Sequence, residues 1–206
     1  MNRDDITMQA QSGQRCSVIA LVGAPNAGKS TLANALVGAK IAIVSPKAQT
    51  TRTRIMGIRM EEDAQLIFVD TPGIFRPSRR LDRAMVSAAW SGAEDSDVTC
   101  LIYDASKKPP KNFDQLVDRL KSSSGKLMLV LNKIDLVKRS NLLDLAASLN
   151  ARLPFTETFM ISAQKDDGVT DLATTLAKDA PEGPWLFPED QMSDMAERLF
   201  AAEITR

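Results

Sequence analysis

Histidine is absent from all 206 residues. Ser-His-Asp and Cys-His catalysis, HExxH zinc sites and histidine pH switches are therefore excluded. Cysteine is scarce: Cys16 and Cys100 are the only two. Two thiols cannot complete a cysteine-only zinc site. Each lies beside or inside an apolar run, where a small core residue is the ordinary reading. Net charge is also missing, because 26 basic and 26 acidic side chains cancel. That total demands neither nucleic acid nor a membrane as partner, although local patches retain the capacity to bind either. No apolar run approaches the roughly 18 residues of a membrane span, and residues 1–15 are polar rather than leader-like. A cytoplasmic, reduced chain is expected.

What is present is ordinary for a globular protein: 44% hydrophobic and 25% charged residues. That suits one domain, or one domain with an appendage. Residues 1–15 read as a mobile tail. The apolar run CSVIALVG (16–23) reads as a buried strand, APNAGKS as a turn, and TLANALVG as a helix stopped by Gly38. IMGIRM (55–60) and QLIFV (65–69) read as an antiparallel hairpin across the tight acidic turn at 61–63. A helix is expected over roughly 80–94. Strands at 98–104, 126–132 and 158–162 then alternate with helices at 112–121, 140–151 and 169–178. This alternation predicts an α/β fold with a parallel sheet covered on both faces. From Pro181 the proline-rich PEGPWLFPED reads as a linker. A last amphipathic helix over 194–205, capped by Ser193, has little to pack on, so more protein is expected to follow.

Four loops carry chemistry. Gly23-Ala24-Pro25-Asn26-Ala27-Gly28-Lys29-Ser30 fits GxxxxGK[ST], between a strand and a helix as that motif requires. Such a loop wraps its amide N–H groups around a β-phosphate at the positive end of the following helix. Gly28 permits close approach, Lys29 places an ammonium between β- and γ-phosphates, and Ser30 (with Thr31 behind it) offers a hydroxyl to Mg²⁺. Asp70 ends an apolar strand, where a P-loop nucleotidase keeps its second magnesium carboxylate. In the adjoining Thr71-Pro72-Gly73, Gly73 can bring its N–H to the γ-phosphate. Asn132-Lys133-Ile134-Asp135 follows another strand. A carboxylate at Asp135 can accept guanine N1–H and the exocyclic amine together, a donor pair that adenine lacks. The Asn132 amide can bridge base and phosphate loop, and the Lys133 stem can lie over the base. After the last strand, a backbone N–H of Ser162-Ala163 can reach guanine O6.

GAPNAGKST, QTTRTRI, DTPGI and NKID, in that order and context, resemble the translation-factor-type GTPases, most closely the Era family (Era/TrmE-type P-loop GTPases). The similarity covers roughly residues 16–206. It implies a three-layer P-loop NTPase fold: a mostly parallel six-stranded sheet with one antiparallel edge strand. It implies a GTPase domain over 16–180, then a linker and first helix (181–206) leading to an RNA-binding KH domain. The implied ligands are GTP or GDP with Mg²⁺. Thr51, or its neighbour Thr50, would be the switch threonine on that metal. Residues around 44–54 and 72–80 would order with GTP and relax after hydrolysis. The resemblance also implies assistance to small ribosomal subunit maturation near the 3′ end of 16S rRNA, and association with the inner membrane. The protein is expected to be a monomer.

Two departures bear on mechanism. Where Ras-like proteins place a water-orienting Gln, this chain has Ile74, which cannot hydrogen-bond water. Asn26 is the feature that the family links to K⁺, a charge that would act where an arginine finger otherwise does. The usual SAK triplet reads Ser162-Ala163-Gln164. Arg52, Arg54, Arg59, Arg76, Arg79, Arg80 and Arg83 cluster near the switches, but neighbouring acids favour a solvated face over an RNA contact. Two rival readings remain at this point. One is a scaffold that binds GTP without hydrolysing it. The other is an ATP-dependent P-loop kinase, against which NKID argues.

Overall fold

The computed structural model describes residues 13–38, 54–70, 96–110, 113–121 and 125–187. Its strands are β1 (Arg15–Gly23), β2 (Arg54–Glu61), β3 (Ala64–Asp70), β4 (Val98–Asp104), β5 (Lys126–Asn132) and β6 (Glu157–Ile161). Its α-helices are α1 (Lys29–Val37), α2 (Phe113–Leu120), α3 (Arg139–Asn150) and α4 (Val169–Asp179). The strands form one six-stranded sheet in the order β2-β3-β1-β4-β5-β6. β2 alone is antiparallel, and it lies at the edge. The expected α/β sheet is borne out. The helix expected over 80–94 and the one over 194–205 lie outside the described residues.

Alternating residues of each strand serve opposite faces. On one face Ile19, Leu21, Phe68 and Met128 pack with Leu32 and Leu36 of α1 and Leu172 and Leu176 of α4. On the other, Ala20, Val22, Leu129 and Leu131 pack with Phe113 and Leu116 of α2 and Leu149 of α3. Helix, sheet and helix therefore make three layers. Leu32 and Leu36 are fully buried, and burial of that kind contributes roughly 2 kcal/mol each. Cys100 is a core residue as expected, and burial pushes its thiol up to about 12.

The parallel register sets the site. Leu21 lies opposite Asp70, Gly23 opposite Ile102, Asp104 opposite Asn132, and Asn132 opposite Ile161. The carboxyl ends of five strands thus share one rim. Strand order reverses about β1, and open α/β sheets bind ligands at such a reversal.

The segment read as the start of a linker is bound to the body through Phe187. Cys16 N–H donates to Pro181 O at 3.1 Å, and Gly183 N–H donates to Gln14 O at 3.0 Å. Trp185 Nε1 donates to Asp63 O at 3.1 Å. Gln65 of β3 is fully buried. Its amide holds both backbone groups of Phe187: Nε2 donates to Phe187 O at 2.8 Å, and Oε1 accepts Phe187 N–H at 3.0 Å. Composition marked 181–187 as a linker, but a buried amide 122 residues away fastens it to the rim opposite the loops. Gln65→Leu should speed amide exchange across 181–187 by about tenfold or more, because each lost hydrogen bond is worth about 1 kcal/mol. Exchange within β1 and β4 should stay unchanged. Unaltered protection of Phe187 would show that the amide is not what holds the strap.

Candidate nucleotide site

The phosphate loop crosses from β1 to α1. A side chain at Gly23 would meet Ile102 O at 2.4 Å, so glycine is needed where the loop passes over β4. α1 begins at Lys29, two residues earlier than expected, because Gly28 in the left-handed region (φ 98) serves as its N-cap. A sequence scan for a capping side chain misses this start, since no side chain caps the helix. Lys29 and Ser30 therefore stand in the first turn, where the helix dipole favours anions. Lys29 Nζ donates to Gly23 O at 3.0 Å and to Ala24 O at 3.1 Å. The ammonium is thereby folded back over the loop. Ser30 and Thr31 are exposed beside it.

Asn132 joins this loop to two others. It ends β5 and is 2% exposed. Its Nδ2 donates to Ala27 O at 2.9 Å. Its Oδ1 accepts Lys133 N–H at 2.8 Å and Ala163 N–H at 3.1 Å. One buried amide thus ties together the phosphate loop, the NKID loop and the loop after β6. Gly28 makes room for it: a Cβ there would sit 2.2 Å from Asn132 Nδ2. The expected bridge from Asn132 to the phosphate loop is present. Of the Ser162-Ala163 backbone N–H groups, one of which is expected at guanine O6, that of Ala163 is here directed at Asn132.

Lys133 has a left-handed backbone (φ 66), which costs a non-glycine residue about 1 kcal/mol or more. Its Nζ donates to Asn26 O at 2.8 Å and to Asp104 Oδ2 at 2.7 Å. Asp135 follows in a short 3₁₀ turn, Ile134–Leu136. Ser162 Oγ donates to Asp135 Oδ1 at 2.7 Å, and Lys165 Nζ lies 3.6 Å from Oδ2. The Ser162 hydrogen bond, aided by Lys165 and outweighing some desolvation, holds this carboxyl below its ordinary value. An ionised, acceptor-only group is what a base with two adjacent donors requires.

The remaining expected site residues fall at or beyond the edge of what is described. Asp70 ends β3 opposite Leu21, on the same rim. Thr50, Thr51, Thr71, Pro72, Gly73 and Ile74 lie outside the described residues, as do the expected switch segment 72–80 and all of the expected segment 44–54 but Arg54, which begins β2. Ser30 and Asp70 supply oxygen donors only, a set that suits Mg²⁺, which keeps several waters and takes one or two protein ligands beside phosphates. Among the described residues no cluster of three or more His, Cys, Asp or Glu could hold a metal alone. Of the arginines near the switches, Arg59 binds Glu61 and Leu36 O. Arg59 is thereby engaged within the protein.

Sequence reasoning overlooked Asp104 and the Ser162 hydroxyl. Asp104 ends an apolar strand just as Asp70 does, and that was its signal. Ser162 was singled out for its backbone alone.

The sequence profile of the 50S ribosome-binding GTPases matches residues 18–133. The chain belongs to that family. Its expected kinship with Era is borne out by curated relatives and solved structures. GTPase Era of Bradyrhizobium diazoefficiens is 56% identical over 198 residues, covering 96% of this chain and 64% of that protein. The chain thus spans just under two thirds of that relative's length. A crystal structure of Era with MgGDPNP and nucleotides 1506–1542 of 16S ribosomal RNA superimposes with a TM-score of 0.74 at 38% identity. That match covers 87% of this chain and 61% of the other. An Era variant from Aquifex aeolicus bound to GDP·AlF4⁻ gives a TM-score of 0.73 at 38% identity, covering 87% of this chain and 62% of the other.

Proposed function

We propose that this chain binds GTP and GDP with Mg²⁺ and hydrolyses GTP slowly as a switch serving assembly of the small ribosomal subunit. The observation that carries the nucleotide reading is Asn132, whose single amide draws phosphate loop, NKID loop and the loop after β6 to one rim. A guanosine polyphosphate needs that convergence, because one molecule must touch both ends. An ATP-dependent kinase has no use for the ionised Asp135 at the base end. The ribosomal part rests on the Era relatives, one of which was crystallised with a 16S rRNA segment.

In this reading the α1 N-terminus and Lys29 meet the β- and γ-phosphates and favour the charge that develops as water attacks in line. Ser30 and Asp70, with Thr51 once GTP is present, would hold Mg²⁺, which supplies charge neutralisation on the phosphates. Gly73 N–H would meet the γ-phosphate. Asp135 accepts from guanine, and the Ala163 N–H shares itself between Asn132 and O6. Ile74 cannot hydrogen-bond the water, so the protein supplies mainly positioning and electrostatics. The division of the chain into a GTPase domain over 16–180 and a following segment that leads to a KH domain is part of the proposal. So are a monomeric state, a cytoplasmic location and peripheral contact with the inner membrane. Among the described residues no helix is long and apolar enough to cross a membrane.

Single-turnover hydrolysis in KCl against NaCl tests the enzyme against the non-hydrolysing scaffold that Ile74 makes thinkable. We expect turnover in both salts and a faster rate in KCl, with the K⁺ advantage altered by Asn26→Asp. Turnover at the uncatalysed rate in KCl would favour the scaffold, and equal rates in the two salts would remove K⁺ from the account.

A further inference from the structure

Asp104 is 8% exposed at the end of β4, and the β4–β5 register sets it beside Asn132. A carboxylate buried to that degree is tolerated only when its oxygens are satisfied. Oδ1 accepts Ser106 N–H at 3.1 Å and Ser106 Oγ–H at 2.6 Å. Oδ2 accepts the Lys133 ammonium at 2.7 Å, and the exposed Lys107 Nζ stands farther out at 3.4 Å. Burial pushes the pKa of this carboxyl up, but Lys133 and Ser106 outweigh it and hold the group below its ordinary range. Asp104 is therefore a fixed anion with its orientation set from both sides.

The anion governs where Lys133 goes. The same ammonium that meets Asp104 donates to Asn26 O in the phosphate loop. The lysine stem runs past Gly28, where Cε lies 3.9 Å from the position a Cβ would take. Lysine side chains are among the most entropically costly to immobilise. Here the ordering is accomplished within the protein, by a carboxylate on β4 and a carbonyl on the phosphate loop. Both Lys133 and Asn26 keep left-handed backbones, and such strain persists only where neighbouring contacts over-determine it.

We propose that Asp104 is a positioning residue for nucleotide retention: acting through Lys133, it locks the phosphate loop to the base loop and so sets how long a guanine nucleotide stays bound. This rests on the guanine-nucleotide reading above. Asp104 touches no reacting atom, and its effect falls on residence rather than on the chemical step. The lock works by preorganisation: the two loops need not be ordered again at each binding event.

The test is the dissociation rate of N-methylanthraniloyl-GDP chased with unlabelled GDP. Asp104→Asn keeps the shape and removes the charge. It should speed release by about tenfold or more, the loss expected for a charged hydrogen bond. In a Lys133→Met background the same substitution should change release by less than about twofold, because its route of action is gone. Equal acceleration in both backgrounds, or none in either, would overturn the proposal, and a general loss of stability gives the first of those patterns. If circular dichroism shows that Asp104→Asn does not fold, Ser106→Ala decides. It withdraws the Oγ donor alone and should speed release about two- to threefold, whereas an unchanged rate would overturn the proposal. A parent protein that binds no labelled GDP would overturn the guanine reading itself, and the proposal with it.

Discussion

Replacing Lys29 with alanine should weaken GTP and GDP binding on the order of a thousandfold, with little change in the fold. An ammonium about 4 Å from a phosphate oxygen at an effective dielectric near 20 is worth about 4 kcal/mol, which corresponds to that factor in affinity. The fold should survive because the contacts seen for Lys29, to Gly23 O and Ala24 O, lie at the half-open mouth of the loop. Water can take over those two carbonyls, and the stability change should stay near 1 kcal/mol. Isothermal calorimetry checks the first part and thermal unfolding without nucleotide checks the second. Unchanged affinity would remove Lys29 from the phosphate site, and collapse of the nucleotide-free fold would show that its role is structural.

Asp135→Asn should exchange guanine for xanthine as the preferred base. The carboxylate only accepts, and guanine offers N1–H and an amine to it. Xanthine has a carbonyl where guanine has that amine, and an asparagine amide can donate to it. A site built for one donor pattern discriminates strongly when the pattern changes, so XDP should bind at least about tenfold better than GDP to the variant, reversing the order in the parent. Ser162 Oγ–H has an acceptor in either side chain, as it does in Asp135 Oδ1 now, so the loop should keep its place. Competition against labelled nucleotide reads the ratio. A variant that retains the parent's GDP-over-XDP preference would show that Asp135 does not face the base.

Residues adjacent in the chain were read with little loss. GAPNAGKS announces a phosphate loop because strand, glycines, lysine and helix must stand in that order. The hairpin was legible because three acidic residues leave no room for a crossover between 55–60 and 65–69. Asn132 is expected from the motif to bridge base and phosphate loop, and the hydrogen bond to Ala27 O makes its phosphate-loop contact. What escaped depends on register between distant segments. Asp104 looks like any acid ending a strand until β4 and β5 are aligned and Lys133 turns back toward it. Gln65 looks like a polar interruption in QLIFV, and nothing local reveals a partner 122 residues later in a proline-rich stretch. Which N–H of Ser162-Ala163 faces the base stays open in the sequence, because a backbone donor carries no record there of what it meets first, and that of Ala163 meets Asn132. The start of α1 was missed for a related reason: its cap is a glycine conformation and not a side chain.

The central claim is that three loops at one rim form a single guanine-nucleotide site, and a titration of the isotopically labelled protein with MgGDP, followed by amide NMR, tests it most directly. The account predicts that the signals of Ala27, Gly28, Asp135 and Ala163 all shift along one binding curve with one dissociation constant. Shifts at Ala27 and Gly28 that saturate while Asp135 and Ala163 stay still would mean that phosphate binds without the base, and would contradict it.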